Sequence, residues 1–181
     1  MTNLANAFDP IAAMKLSLKK GVREVPDFPK PGILFKDIFP LLANPKTHRE
    51  VTEALLHSLN LDQVDLFVGI EARGFILASA LAAQTGKGFA PARKAGKLPP
   101  PTVRQKYDLE YGTAELELAQ GSGRVVIVDD VLATGGTLRA TIDLCAKAGY
   151  DVVDISVLIN LKYLNNFRFH GEPVKSVIDY E

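Results

Sequence analysis

The sequence has no tryptophan and a single cysteine, Cys145, among its 181 residues. One cysteine can neither close an internal disulfide nor build a multi-cysteine metal site, so a disulfide scaffold and a structural zinc cluster are both excluded. No apolar run approaches the roughly 18 residues that a membrane-crossing helix needs, and the lysines near the amino terminus follow its apolar residues, the reverse of a signal peptide. Net charge is missing too. The 21 Lys and Arg balance 21 Asp and Glu, which removes any global attraction to nucleic acid or to an anionic membrane. Neither a Walker A sequence nor a G-x-G-x-x-G turn follows any apolar run, which argues against a P-loop hydrolase and a dinucleotide oxidoreductase. These absences point to a cytoplasmic protein with neither nucleic acid nor membrane as partner.

What is present is ordinary globular composition, 47% hydrophobic and 23% charged, in a chain the length of one domain. The charge is unevenly spread. Between Lys87 and Tyr107 stand six basic residues (Lys87, Arg93, Lys94, Lys97, Arg104, Lys106) and no acidic one, whereas Glu110 to Glu181 carries 11 acids against 6 bases. One middle segment is therefore a candidate anion site.

Apolar spacing predicts helices over about 10–20, 46–60, 74–84 and 136–148, with Pro10 and Gly21 bounding the first and Gly149 capping the last. Short apolar runs predict strands at 66–70, 114–118, 124–128 and 152–160, and a weaker one at 173–180. Prolines at 26, 29 and 31 read as a rigid, irregular stretch over 25–40, and the proline-rich segment after Gly86 begins as a possible strand, then loses periodicity and reads as a long excursion, a lid or binding loop. The order of strand, turn and helix implies an α/β fold with a mainly parallel central sheet flanked by helices, whose ligands lie beyond the carboxyl ends of the strands.

The sharpest local signal is VVIVDDVLATGGT at 125–137. Two carboxylates, Asp129 and Asp130, leave a buried strand. A loop of small residues, Ala133, Thr134, Gly135, Gly136 and Thr137, then opens a helix. Such a loop exposes backbone N–H groups, and the helix start adds partial positive charge, so it suits a phosphate. The carboxylates would repel a bare phosphate but suit ribose hydroxyls or Mg2+ beside it. A phosphorylated sugar fits this combination. The alternative at this point is a solvated strand end followed by a tight turn.

The stretch 125–137 resembles the phosphoribosyl pyrophosphate (PRPP) binding motif of the type I phosphoribosyltransferases. Four more stretches, PDFPKPGILFKDI at 26–38, EARGF at 71–75, ARKAGKLPPPT at 92–102 and YDLEYGTAELEL at 107–118, resemble the adenine phosphoribosyltransferase family, in its order and spacing from about residue 20 onward. The resemblance implies one phosphoribosyltransferase domain over 1–181, with an N-terminal arm and small hood at about 1–40 and a flexible catalytic loop at about 94–113. It implies transfer of 5-phosphoribosyl from PRPP to N9 of adenine, giving AMP and pyrophosphate with Mg2+ as cofactor, held mainly through PRPP rather than by direct protein ligands.

It also implies residue roles. Asp129 and Asp130 would hold the ribose hydroxyls, and Ala133 to Thr137 the 5'-phosphate. Arg73, Arg93, Lys94 and Lys97 would meet pyrophosphate, with Arg93 contributed to the neighbouring subunit of a homodimer. Leu34, Phe35 and Lys36 would receive adenine, with Ala133 on its opposite side. Glu110 and Arg93 would be catalytic, and Tyr111 would sit beside Glu110 on the closing loop. A non-proline cis peptide is implied at Glu71-Ala72. Two positions depart from the family pattern: Lys36 stands where Arg is frequent, and Ala95 where a basic residue is usual. The three histidines, His48, His57 and His170, lack ligand spacing and read as structural or solvated, and Cys145 reads as a small core residue. Rival readings are a sister enzyme for another purine and a non-catalytic relative that senses PRPP or a purine.

Overall fold

The computed structural model describes residues 9–109 and 112–181. They fall into two compact units, divided between Ala54 and Leu55.

In the first unit, α1 (Pro10–Gly21) begins where the Asp9 carboxylate accepts the N–H groups of Ile11 and Ala12, at 2.9 and 3.2 Å. It ends at Gly21, where a Cβ would lie 2.5 Å from Leu41. Two short strands, β1 (Arg23–Val25) and β2 (Phe35–Asp37), pair antiparallel with Arg23 opposite Asp37. α2 (Phe39–Ala43) follows, and α3 (Pro45–His57) carries the chain into the second unit. The stretch expected to be irregular over 25–40 thus contains β2 and the start of α2. Proline confines the irregularity to the connection at 26–34, because no ladder bond is asked of it there.

The second unit contains β3 (Leu66–Ile70), α4 (Arg73–Thr85), β4 (Gly88–Lys94), β5 (Thr102–Leu109), β6 (Gly112–Ala119), β7 (Gly123–Leu132), α5 (Gly136–Ala148), β8 (Tyr150–Leu161), the two-residue strands β9 (Arg168–Phe169) and β10 (Glu172–Pro173), and β11 (Lys175–Tyr180). Single 3-10 turns lie at Leu61–Gln63 and Lys162–Leu164. Seven strands form one sheet in the order β11-β8-β7-β3-β4-β6-β5. The first five run parallel, and β4-β6 and β6-β5 are antiparallel. α4 packs on β3 and β7, and α5 packs on β5, β6 and β8. Val125, Val126, Ile127 and Val128 are consequently fully buried in sequence, the mark of a strand covered on both faces.

Two expectations need correction. The possible strand at the start of the segment after Gly86 is β4, which pairs with β3, but the excursion beyond it is not structureless: β5 pairs with β6 from Thr102↔Ala119 to Leu109↔Gly112. Its alternation is hidden because Val103 and Tyr107, which pack on the core, are separated by Arg104, Gln105 and Lys106. The strand expected to stop at residue 128 continues to Leu132, so Asp129 and Asp130 lie within the ladder, with Asp129 opposite Val157 on β8.

Candidate active site

The parallel strands β4, β3, β7 and β8 end side by side, and their carboxyl-terminal residues assemble a single locus. β3 pairs with β7 through Gly69↔Val128, so the turn after β3 lies next to Asp129 and Asp130. Close backbone approach makes this possible. A Cβ on Gly74 would lie 2.7 Å from the Val128 carbonyl oxygen and 3.2 Å from Asp129 Oδ1, and one on Gly69 would lie 2.7 Å from the Gly74 carbonyl oxygen. The turn contains the cis peptide at Glu71-Ala72. Arg73, the first residue of α4, donates from Nε to Asp130 Oδ2.

The two aspartates are 9% and 4% exposed. Asp129 Oδ1 accepts the Asp130 N–H at 2.9 Å. Burial, with the neighbouring Asp130 charge as the second cause, pushes the Asp129 carboxyl well above its ordinary value. Raised pKa values of this origin cluster at functional sites.

Just beyond, residues 131–138 line a recess of about 70 Å3 together with Asp129. Gly135 adopts φ +87° at the helix start, and a Cβ there would lie 2.5 Å from the Phe167 ring. Both facts require glycine. Because Gly135 brings no side chain, α5 starts with no side-chain cap. The first-turn N–H groups, which have no intrahelical acceptor, remain available to an anion.

The basic loop reaches the same edge. Glu71 N–H donates to the Ala92 carbonyl at 3.0 Å, and Glu71 Oε2 accepts the Lys94 N–H at 2.8 Å and faces Arg93 Nε at 3.5 Å. Arg93 also lies 5.8 Å above the Phe75 ring. After it, the turn at Lys97 and Leu98 is held by Glu117 of β6, whose Oε1 accepts both N–H groups, the second at 2.6 Å. Glu117 is fully buried, and the backbone N–H of Gly96, with those of Leu98 and Lys97, keeps its carboxyl below the ordinary value.

In the first unit, Phe35 packs edge-to-face on Phe28 at 5.2 Å and 75°. An apolar pocket there is lined by Arg23, Val25, Phe28, Phe35, Asp37 and Phe39. Leu34 is 42% exposed, whereas Lys36 is 6% exposed and ion-paired with Glu24 across the β1-β2 ladder. Lys36 therefore has a local structural partner at the position where the family often carries Arg.

Of the residues expected from the sequence, Arg73, Asp129, Asp130, Ala133 to Thr137, Arg93, Lys94 and Lys97 all lie at or beside the strand ends of the second unit. Glu110 and Tyr111 lie outside the described residues. Sequence reading did not anticipate Glu71, Glu117 or Asn165. The glutamates of AELELA look like an ordinary solvent face, and nothing in NLKYLNNF marks Asn165 for a role.

A mainly parallel sheet that brings paired acidic residues and a glycine-rich helix start to one edge defines a site suited to a phosphorylated sugar. The family model for the phosphoribosyl transferase domain matches residues 40–172. The chain is 57% identical over 165 residues to an adenine phosphoribosyltransferase of Bdellovibrio bacteriovorus, covering 91% of this chain and all of that one. A solved adenine phosphoribosyltransferase from Rhodothermus marinus superposes with a TM-score of 0.83 at 44% identity, over 93% of this chain and 99% of the other. The Saccharomyces cerevisiae enzyme, solved with an imino-altritol bisphosphate and adenine, gives 0.79 at 31% identity, over 92% and 99%. The chain belongs to the phosphoribosyltransferases and, within them, to the adenine phosphoribosyltransferase family.

Proposed function

We infer that this chain transfers the 5-phosphoribosyl group from PRPP to N9 of adenine, releasing AMP and pyrophosphate in purine salvage. The observation that carries this reading is the meeting, at adjacent strand ends, of Arg73 with Asp130 beside the uncapped start of α5. In PRPP the pyrophosphate on C1' and the hydroxyl on C2' are neighbours, so a cationic group for one must adjoin a carboxylate for the other. The 5'-phosphate, at the far end of the same sugar, requires a separate anion site, and residues 133–137 suit it.

In the reaction the C1'–O bond breaks with its electron pair leaving on pyrophosphate, the N9–C1' bond forms, and N9 gives up a proton. Arg73, Arg93, Lys94 and Lys97 stabilise the charge that accumulates on the leaving group. Glu110 is assigned the carboxylate that offsets cationic character at C1' or takes the N9 proton, and Tyr111 accompanies it on the closing loop. Asp129 and Asp130 accept the ribose hydroxyls. Base recognition is assigned to Leu34, Phe35 and Lys36, with Ala133 from the phosphate loop. Backbone groups that read the N1 and N6 edge accept adenine and disfavour hypoxanthine, whose donor and acceptor pattern is reversed. Residues 1–40 are read as arm and hood and about 94–113 as the closing loop of a single catalytic domain.

Type I phosphoribosyltransferases generally require Mg2+. Among the described residues no cluster of three or more His, Cys, Asp or Glu could hold a metal. Mg2+ keeps several waters and binds largely through substrate phosphates, so the ion is assigned mainly to the oxygens of PRPP itself. When bound, the ion neutralises charge on PRPP oxygens. A homodimer is assigned, and the reading is supported by Phe89, 39% exposed, which meets Phe75 edge-to-face at 6.0 Å where Phe75 also lies under Arg93. A second copy covering that face lets Arg93 act in the neighbouring site. No helix of the described residues is long and apolar enough to cross a membrane. The cytoplasm is the assigned compartment, where the lone thiol of Cys145 stays reduced.

The test is pyrophosphate release from PRPP and Mg2+ with adenine, hypoxanthine, guanine or no base, for the wild type and Glu110→Ala. Release only with adenine, lost in the variant while PRPP still binds, is expected. Release with another purine alone assigns a sister specificity, and PRPP binding without turnover on any base overturns the enzyme reading.

A further inference from the structure

The loop proposed to bind the 5'-phosphate is held from outside itself. Its first carbonyl, at Ala133, accepts a hydrogen bond from Asn165 Nδ2 at 2.8 Å, across 32 residues of chain. The same Nδ2 donates to the Leu161 carbonyl at 2.9 Å and to Asn160 Oδ1 at 3.1 Å, while Asn165 Oδ1 accepts the Phe167 N–H at 3.0 Å. Three of these partners are acceptors and one is a backbone donor, so the amide has only one satisfactory orientation. Two residues further on, the Phe167 ring, 6% exposed, lies beneath Gly135, and the Arg139 guanidinium of α5 covers it at 4.9 Å. Thus the segment after β8 grips the loop after β7 at two places, its first carbonyl and its left-handed glycine.

We infer that Asn165, backed by Phe167, is a positioning residue for the 5'-phosphate loop. Neither side chain contributes a group to the recess. Asn165 acts through the Ala133 peptide. Pinning that carbonyl fixes the direction in which the chain leaves β7, and hence the direction of the N–H groups that follow. Phe167 limits the loop from below by occupying the space that a side chain at residue 135 would need. Anion binding by backbone N–H groups depends on their convergence before the ligand arrives, since a loop that must be ordered by the ligand costs affinity.

This inference rests on the transferase reading above, and the experiment separates the two. Initial rates are measured with PRPP and adenine varied in turn for the wild type, Asn165→Asp, Asn165→Ala and Phe167→Leu, alongside thermal melts. Asn165→Asp keeps the size and the acceptor for the Phe167 N–H but cannot donate to Ala133. The expected result is a rise in the KM for PRPP of about tenfold or more in the Asn165 variants, with the KM for adenine within about twofold of wild type. A merely structural role would instead lower kcat through the fraction of folded enzyme and leave both KM values alone, and that outcome overturns the proposal. Phe167→Leu, which keeps an apolar side chain beneath Gly135, carries the same test where the Asn165 variants do not fold, with a smaller rise expected in the same KM. A wild type that does not turn over PRPP and adenine overturns the transferase reading instead.

Discussion

Glu117 and Asp129 are both carboxylates withdrawn from solvent in the same sheet, yet they shift in opposite directions. Glu117, on antiparallel β6, receives backbone N–H groups from the turn at 96–98 and faces Arg104 Nε at 3.4 Å, and its carboxyl is held low. Asp129, on parallel β7, receives the Asp130 N–H and sits against a second acidic side chain, and its carboxyl is driven high. In the first, Oε1 takes the N–H groups of the turn and anchors the basic loop, while the buried Oε2 has no hydrogen bond among the described residues and faces the Arg104 charge. The second retains acceptor capacity at the strand end where a ligand belongs, which a fold would not keep for stability alone.

The sharpest way to break that comparison is Asp129→Asn. Loss of the charge-assisted hydrogen bonds proposed between Asp129 and ribose, about 1.5–3 kcal/mol each, is expected to lower kcat/KM for PRPP by about a hundredfold or more. Stability should move the other way. A carboxyl whose folded value lies above its ordinary 3.8 binds its proton more tightly when folded. Its charging therefore opposes folding as pH rises from the ordinary value through the raised one, and the opposition is complete above that. Denaturant melts at neutral pH should show the variant more stable than wild type, an advantage that shrinks in acid. A variant less stable at neutral pH would mean that Asp129 is an anchor after all.

Glu117→Gln is the smaller perturbation and the converse case. An amide accepts more weakly than a carboxylate, so the turn at 96–98 loosens and Tm should fall by several degrees, with a milder loss of kcat/KM than in Asp129→Asn. Here the folded value lies below the ordinary 4.5. The stabilisation is fully present above 4.5 and is lost as pH falls through the lowered value. The wild-type advantage over Glu117→Gln should therefore persist at neutral pH and vanish in strong acid. An advantage independent of pH would assign it to packing rather than to charge.

How much of this was legible depends on how far each contact reaches along the chain. The strand at 66–70 and the helix at 136–148 have the expected limits, because continuous burial and a glycine cap are local signals. The grouping at 129–137, proposed to hold ribose and phosphate, was legible as a local unit for the same reason: carboxylates, small residues and helix start fall within one stretch of sequence. β5 was hidden, since polar Gln105 takes the inward position between Val103 and Tyr107 and breaks the apolar alternation. The prolongation of β7 through Asp129 and Asp130 is set by pairing with β8, which outweighs the low strand preference of aspartate. The Arg73 to Asp130 pair joins residues 57 apart, and the Asn165 grip joins residues 32 apart. Pattern reading cannot supply such contacts. Only the family resemblance pointed to Arg73, and nothing pointed to Asn165.

The least consequential ionisable group in this sheet-and-helix core sharpens the contrast. Cys145 lies on α5 within the apolar cluster, fully buried, and burial alone pushes its thiol up to about 12. Like Asp129 it is raised, but it has no crevice before it and no base beside it, so a raised value here reports packing and nothing else. At pH 8 on the order of one thiol in ten thousand is ionised, and reagent reaches it only through opening of α5. Labelling by a thiol reagent should therefore follow the unfolding equilibrium across a denaturant series. Cys145→Ala should cost about 1 kcal/mol and leave both KM values unchanged. Fast labelling of the native protein, at a rate independent of denaturant, would show that α5 is not packed as described and would weaken the case that its amino terminus is a fixed anion site.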